Sequence, residues 1–485
     1  MPRPSMESSL ATDLSATQVP LHGAQRSVVQ ASVHDESAKS SAASSQVSLS
    51  LREAASDHAQ PTKFVVVHSG ARDGYQLARA LSEAGMLEAL ITDLFWPADL
   101  KWTRAIETIL PKRLRSLILQ RSDASLPSAE VRLCALAGSL TLLMDKLPGI
   151  PLSVRRRATR YADATLGRTA GRYATQRAAG LLSYSYYGYD AFTHYSRPAI
   201  LFQMHPHPVS MRRILTEELQ ANPDCAQSLQ QEWELSLPEE DFLHLVRETT
   251  MASHYLVASS FTRETLAENG AARSSISVIP YGVDTNRFMP DARRRSPLGS
   301  KLRLLFVGRI NQRKGIKYLL QALRLLNRND VHLTVCGRVV DGLELFRSFG
   351  DQVDVRPSVS AAELIAAYQS ADMFVFPSVA EGFGLVLLEA LACGLPILST
   401  TCTAAPDLIE NSSEGFVVEP RRPDLIADRI DWALNHRGEV VEMGHRARLC
   451  AEKFTWQRFR SGVVQAVKDS MTSNHTDSAT KRANV

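Results

Sequence analysis

Two glutamates eight residues apart, Glu381 and Glu389, bracket the run EGFGLVLLE, and the chain around them reads as strand, loop and helix. Residues 373–376 (MFVF) form an apolar run stopped by Pro377 and Ser378. A glycine-bracketed loop then opens into an apolar helix that ends at Gly394, with Pro396 two residues on, an ordinary stop signal. Glu381 therefore lies in the loop and Glu389 just inside the helix. The N–H groups of Gly382, Phe383, Gly384 and Leu385 would point out of the helix N-terminus, a natural place for an anion such as a pyrophosphate. An ionised carboxylate is a strong acceptor for a diol, so each glutamate would take hydroxyl groups on its own side of that anion. A phosphate flanked by two polyols is the shape of a nucleotide sugar. Spacing alone does not single this out, because glutamate pairs and Gly-containing strand–loop–helix junctions recur across α/β proteins.

A second turn carries cations. The strand pattern at 302–307 (LRLLFV) ends at Gly308 and Arg309, and Arg313-Lys314-Gly315 precedes a helical pattern at 316–327. Arg309 and Lys314 at a strand-to-helix turn suit a departing diphosphate, on which charge develops as the bond to it breaks. A third strand pattern, 198–203, runs into His205 and His207. Two histidines at i, i+2 would need a third ligand to hold a metal; none lies nearby in sequence, and Pro206 limits their convergence. A loop-capping histidine is the commoner use of such a position. No Asp-x-Asp sequence occurs in the chain.

The string EGFGL followed by EALACGLP resembles, residue for residue, the E-x7-E donor motif of retaining glycosyltransferases of the GT-B fold, the family 4-like group also described as glycosyl transferases group 1. IPYGVD at 279–284 resembles that family's interdomain signature, and Gly308-Arg309 with Lys314-Gly315 its "GR…KG" positions. The resemblance covers about 280–470 strongly and 62–280 weakly. It implies an α/β architecture of two facing doubly wound Rossmann-like domains that transfer a sugar from a nucleotide diphosphate to an acceptor hydroxyl with retention. The acceptor would be a glycan, a lipid-linked species or a small molecule.

The resemblance also implies roles. Glu381 and the amides of 382–385 would hold the donor sugar, Glu389 the ribose diol, and Gly308, Arg309 and Lys314 the diphosphate. A histidine at the strand end would sit near the reacting carbon, which nominates His205 with His207 in reserve. The glycine turn 70–74 after the first strand would face the donor phosphates, which makes Gly70 a further candidate. Asp407 stands where the family commonly has a glutamate after a glycine-rich turn, so the base is left open. With no Asp-x-Asp and two cations in place, we expect no metal and no cofactor besides the donor. A GT-B-fold epimerase or phosphorylase, or a non-catalytic scaffold, would share the fold. The chain is short for a glycogen-type phosphorylase, and a decayed site should have lost one of Arg309, Lys314, Glu381 and Glu389.

Size and composition agree with two domains. The 485 residues are 44% hydrophobic and 22% charged, as in ordinary globular proteins. Residues 1–60 are rich in Ser, Ala and Gln without periodicity and are expected to be disordered. A Rossmann-like acceptor domain is expected over 61–290 and a nucleotide-sugar domain over 298–455. A helix crossing back to the first domain should follow at 456–470, then a disordered tail at 471–485. The first domain opens with a strand at 63–68, a glycine turn, a helix and a second strand at 88–95, a βαβ start that lacks G-x-G-x-x-G and so disfavours a dinucleotide cofactor. Residues 96–180 read as helical.

Net charge is +4, but between 101 and 177 there are 15 Lys and Arg against 5 Asp and Glu, a local +10 that leaves the rest at 4 − 10 = −6. Such a stretch suits peripheral contact with an anionic membrane; a solvated Arg-rich helical face accounts for it equally well. Six scattered cysteines without a C-x-x-C pair, and no signal-peptide pattern, point to a reducing cytoplasmic setting. No nucleic-acid partner is indicated.

Overall fold

In a computed structural model of the protein, residues 62–100, 120–134, 150–291 and 301–483 are described, with isolated positions between 101 and 119. The extension 1–60, much of the basic stretch 101–149 and the linker 292–300 lie outside the described residues.

Two parallel sheets organise the chain. The first has the strand order β3-β2-β1-β4-β5-β6-β7. Its strands are β1 (Phe64–Val67), β2 (Leu87–Thr92), β3 (Val131–Leu133), β4 (Gly180–Tyr184), β5 (Ile200–Gln203), β6 (His254–Val257) and β7 (Ile276–Val278). The second sheet has the order β10-β9-β8-β11-β12-β13. It comprises β8 (Leu302–Val307), β9 (Val331–Cys336), β10 (Val353–Arg356), β11 (Met373–Phe376), β12 (Ile397–Thr400) and β13 (Gly415–Val418). Every pairing is parallel. Helices cover both faces, so central strands such as FVVV of β1 and MFVF of β11 are wholly buried. Each buried Val, Leu or Phe of these strands contributes about 1.5–3 kcal/mol. The fold class expected from the sequence, two facing doubly wound Rossmann-like domains, is the one observed.

In both sheets the order reverses at a central strand, between β1 and β4 in the first and between β8 and β11 in the second. At such a reversal neighbouring loops diverge and leave a crevice at the carboxyl ends of the strands, where ligands of open α/β sheets bind. The turns after β1, β8 and β11 and the end of β5, which carry Gly70, Arg309, Lys314, Glu381 and His205, lie at these crevices or next to them.

Two details differ from expectation. The segment expected to be wholly helical contains β3, an edge strand of three residues, too short to show an alternating pattern. The last helix runs Trp456–Ala483 instead of stopping near 470, so the expected disordered tail is helical in the structure. No glycine or proline between 471 and 483 ends it. That helix packs on Gln76–Glu83 of the first domain: Arg460 donates to Glu83 (2.7 Å) and Gln76 (2.7 Å), while Phe459, Val463 and Val467 are buried.

Tyr281, from IPYGVD, packs on Phe202 of β5, on Phe459 and Trp456 of the last helix, and on Phe383 of the EGFG loop, at ring separations of 5.1–6.0 Å. One aromatic residue thus ties both domains to the crossing helix. A second clamp centres on Glu218, which is fully buried. Its carboxylate accepts from Asn222, Gln312, Tyr318 and Arg421 at 2.7–2.9 Å, joining the helix Pro208–Ala221 to the second domain.

Candidate functional site

Because β8 pairs with β11, the turn after β8 lies against the loop after β11. Asn311 caps that turn, its side-chain oxygen accepting from the Lys314 N–H at 3.2 Å. Gly315 then adopts a left-handed φ of 73°, and a methyl group there would overlap the Pro377 carbonyl. Val379 N–H and the Ser378 hydroxyl both donate to the Arg313 carbonyl at 3.0 Å. These bonds turn the side chains of Arg313 and Lys314 toward Glu381.

The result is a buried ion cluster. Oε2 of Glu381 meets Nη1 of Arg313 at 3.2 Å and also contacts the Lys314 ammonium. Nε of Arg313 pairs with Oε2 of Glu232 at 3.2 Å, and Oε1 of Glu232 accepts from Asn311 at 2.8 Å. Arg313 also donates to the Ala380 carbonyl at 2.9 Å. Burial first, then the neighbouring Arg313 and Arg309, hold the Lys314 ammonium well below its usual range, with Glu232 pulling the other way. Arg309 itself is exposed, and its side chain has no partner among the described residues. Gly308 is half-buried, its N–H donating to the Cys336 carbonyl at 3.0 Å.

Sequence reasoning nominated Arg309 and Lys314 but missed Arg313 and Glu232. The adjacent pair Arg313-Lys314 was in view, yet only the folded turn shows that both side chains point inward. Nothing in the sequence marks Glu232, which comes from the other domain.

The EGFG loop runs against the end of β5. A methyl group on Gly382 would overlap the Met204 carbonyl oxygen and lie 3.1 Å from Cα of His205, so only glycine fits. The Gly382 carbonyl accepts from the hydroxyls of Ser259 (2.6 Å) and Thr262 (3.3 Å) of the first domain. The N–H groups of Gly382, Phe383, Gly384 and Leu385 donate to no protein acceptor among the described residues. Phe383 is buried against Tyr281, so what it offers a ligand is its backbone. Leu385 opens the helix Leu385–Ala392, and Gly384 is its N-cap.

Across this loop stands His205, fixed by the Gln203 side chain donating to the His205 carbonyl at 3.0 Å. Burial, then the fields of Arg313, Arg72 and Lys314, lower its pKa to about 3, so the ring is neutral at physiological pH. His207 is engaged elsewhere. Its Nδ1 accepts from Val209 N–H at 3.3 Å as the N-cap of Pro208–Ala221, and its Nε2 lies 3.0 Å from the Thr249 hydroxyl. Of the two histidines, His205 is the one beside the loop.

Glu389 is not part of the ion cluster. One oxygen accepts from the Tyr368 hydroxyl at 2.8 Å, and burial pushes its pKa up against the pull of Tyr368 and Arg287. Gly70 follows β1, but its N–H donates to Asp93 at 2.8 Å and is not directed at the loop. The residue of that turn that faces His205 is Arg72, also missed from the sequence. Asp407 accepts from the Ser260 N–H at 2.7 Å, capping a helix of the other domain.

The site thus gathers Arg309, Arg313 and Lys314 against Glu232 and Glu381, three cations and two carboxylates, beside four amides with no protein acceptor among the described residues, while Arg72, on the other side of His205, is offset by Asp163. The amides and the surplus cation suit an anion.

Residues 289–476 match the family model "Glycosyl transferases group 1". The match includes the second sheet and the whole EGFG motif. Among curated relatives, a D-inositol 3-phosphate glycosyltransferase of Paenarthrobacter aurescens is 31% identical over 226 residues, 43% of this chain and 55% of that one. A GDP-mannose-dependent alpha-(1-6)-phosphatidylinositol monomannoside mannosyltransferase of Mycobacterium tuberculosis is 32% identical over 212 residues, 39% of this chain and 54% of that one. The chain spans about half the length of the curated relatives it matches. Among solved structures, sucrose-phosphate synthase from Thermosynechococcus elongatus superposes with a TM-score of 0.58 at 17% identity, covering 86% of this chain and 100% of that one. Anabaena HepE, solved with UDP and glucose, superposes with a TM-score of 0.53 at 16% identity, covering 84% and 100%. At such identity the likeness is one of fold, and the fold is GT-B.

Proposed function

We propose that this protein is a glycosyltransferase that moves a sugar from a nucleotide-diphosphate donor to an acceptor hydroxyl with retention of anomeric configuration. The observation that carries this reading is the junction of Gly382 with Met204 and His205. It sets unpartnered amides and a cationic cluster from one domain directly against a neutral histidine of the other. The relatives are named for glycosyl transfer, and one solved neighbour holds UDP and glucose.

In this reading the diphosphate lies on the amides of 382–385, with Gly308 alongside and Arg309 and Lys314 neutralising it. Glu381 commits Oε2 to the two cations, which leaves Oε1 for a sugar hydroxyl. Glu389 uses its free oxygen for the ribose diol, and His205 bonds a hydroxyl near the reacting carbon. The bond from that carbon to the phosphate oxygen breaks while the acceptor oxygen bonds to it on the same face. The acceptor's proton passes to the departing phosphate oxygen, so no protein base is required. The division of labour follows the two sheets, acceptor at 61–290 and donor at 298–455.

A panel of UDP-, GDP- and ADP-sugars in a thermal-shift assay tests the reading. One donor class should raise the unfolding midpoint, and nucleoside diphosphate should be released only when an acceptor is added. No shift with any of the three would remove it.

We also place the protein on the cytoplasmic side of an anionic membrane, touched by the cations of 101–177 that are free to face it. Not all of them are: Arg156 donates to the Gln231 and Ser236 carbonyls, and Arg160 pairs with Asp190. No helix among the described residues is long and apolar enough to cross a membrane. Flotation with anionic liposomes at low salt is the test, and failure to float would end the idea.

A further inference from the structure

Beside His205, on the first domain's side, lies a cavity of about 150 Å³. Its wall includes the rings of Tyr186 and Trp233, whose centroids are 6.2 Å apart, and the side chains of Arg72 and Asp163. Tyr186 is held in a left-handed conformation, φ 81°, by its N–H donating to the Glu248 carboxylate at 2.9 Å. One face of Trp233 is covered by the Arg156 guanidinium, 5.8 Å from the ring centre.

Subtracting the groups that already have partners leaves little. Arg160 also lines the cavity, but it is bound by Asp190 at 2.6 Å and by Asp241 at 3.3 Å. Asp190 also lies 3.7 Å from Arg168, so the two arginines together balance Asp190 and Asp241. Arg72 donates through Nη2 to the Tyr187 hydroxyl at 3.2 Å and through Nη1 to the Met204 sulfur at 3.8 Å. Its Nε is buried and has no hydrogen-bond partner among the described residues. The Asp163 carboxylate accepts no hydrogen bond among the described residues. Burial pushes it up to about 7, against the pull of Arg72 and Arg160. What remains is the Arg72 Nε–H, the Asp163 carboxyl, the edge of the neutral His205 ring and an aromatic wall.

That inventory is selective. A hydroxyl both gives and accepts a hydrogen bond, so a polyol satisfies Arg72 and Asp163 at once. A phosphate offers acceptors almost alone: it would meet the ionised form of Asp163 with like charge, and the Arg72 cation that could draw it is already offset by Asp163. An aromatic ring packs on the C–H face of a sugar, burying apolar surface while the hydroxyls stay at the edge.

We propose that this cavity seats an uncharged sugar ring as the acceptor, with Asp163 accepting from one hydroxyl and Arg72 Nε donating to another. Trp233 packs against the ring's C–H face. Asp163 is thereby a specificity-determining residue that turns away phosphorylated acceptors. The proposal rests on the transfer reading in one respect, that the donor sugar lies on the other side of His205.

The test is binding to the full chain, followed by saturation-transfer NMR and titration calorimetry. The probes are methyl α-mannoside, methyl α-glucoside and methyl β-galactoside, with mannose 6-phosphate and glucose 6-phosphate as charged counterparts. At least one neutral glycoside should bind about tenfold more tightly than its phosphorylated counterpart. Asp163→Asn should weaken that glycoside about tenfold and narrow its advantage over the phosphate. Trp233→Leu should weaken the neutral glycoside without changing which counterpart is preferred. Equal or tighter binding of the phosphorylated sugar, no binding by any neutral member, or unchanged neutral binding in Asp163→Asn each overturns the proposal. Should Asp163→Asn fail to fold, the selectivity of the parent protein and the Trp233→Leu result decide. Nucleoside diphosphate binding on the same samples separates the two readings. Sugar selection without it sinks the transfer reading alone, and the reverse result sinks only this one.

Discussion

Gly382 and Met204 meet backbone to backbone, and a side chain on the glycine would occupy the space of the Met204 carbonyl oxygen. Through this contact the loop of the second sheet is set against the strand end of the first. Gly382→Ala should push the two apart while leaving each domain's core intact. A displacement of about 1 Å at such a site costs on the order of a hundredfold in rate. We expect kcat/KM for transfer to fall by roughly that factor, with an unfolding midpoint close to the parent's. Undiminished kcat/KM would show that the contact does not align the site.

Glu381→Ala removes the carboxylate shared by Arg313 and Lys314 and, on the proposed reading, the oxygen left for the donor sugar. Transfer should weaken by about 2 kcal/mol or more, the scale of an unpaired buried polar group, or roughly thirtyfold. Nucleoside diphosphate lacks the sugar and is drawn by cations freed of a counter-charge, so its affinity should hold or rise. Calorimetry with the diphosphate beside transfer kinetics checks both halves, and parallel losses would place Glu381 on the phosphate instead.

Arg313 and Arg309 should behave oppositely. Arg313→Gln leaves Glu232 and Glu381 without their shared cation in a buried setting, and breaking such a cluster costs about 3 kcal/mol or more of stability. Arg309 is exposed and its side chain has no partner among the described residues, so Arg309→Gln should leave the unfolding midpoint unchanged while weakening diphosphate binding. Denaturant melts and diphosphate titrations on the two variants make the comparison.

His205 supplies a pH signature. Its pKa is lowered in the folded protein to about 3 from an ordinary 6.5. Between those values the unfolded chain binds more protons than the folded one, so stability owed to His205 is lost as pH falls. His205→Gln removes that liability. The midpoint of the variant, relative to the parent, should therefore rise as pH is lowered from 7 to 5. A pH-independent difference would mean the ring is not held neutral by its surroundings.

If Arg309 and Lys314 neutralise the leaving group as proposed, a divalent metal is not needed. Transfer should persist in EDTA. Abolition of transfer by EDTA, restored by added magnesium or manganese, would refute that.

The sequence carried much of this because its informative features are local. Buried parallel strands read as continuous apolar runs, and the capping box Ser360–Glu363 forms as its spacing requires. The helix after EGFG starts and stops where Gly384 and Gly394 place it. Less legible were β3, whose three residues are too few for a pattern, and the final helix, whose polar end has no stop signal.

The nature of the motif glycines and charges followed from residue order, and with the family resemblance they carried so did the expectation of a diphosphate-sized anionic ligand. Which side chains share one space did not. Glu232 and Arg313 pair across 81 residues, Gly382 and Met204 across 178, and Asp163 faces Arg72 from a different helix. His205 and His207 look alike in sequence, and only packing shows one capping a helix and the other facing the loop. Secondary structure is set by neighbours a few residues away, whereas the charge and hydrogen-bond balance of a cleft is set by whatever the tertiary fold brings to it.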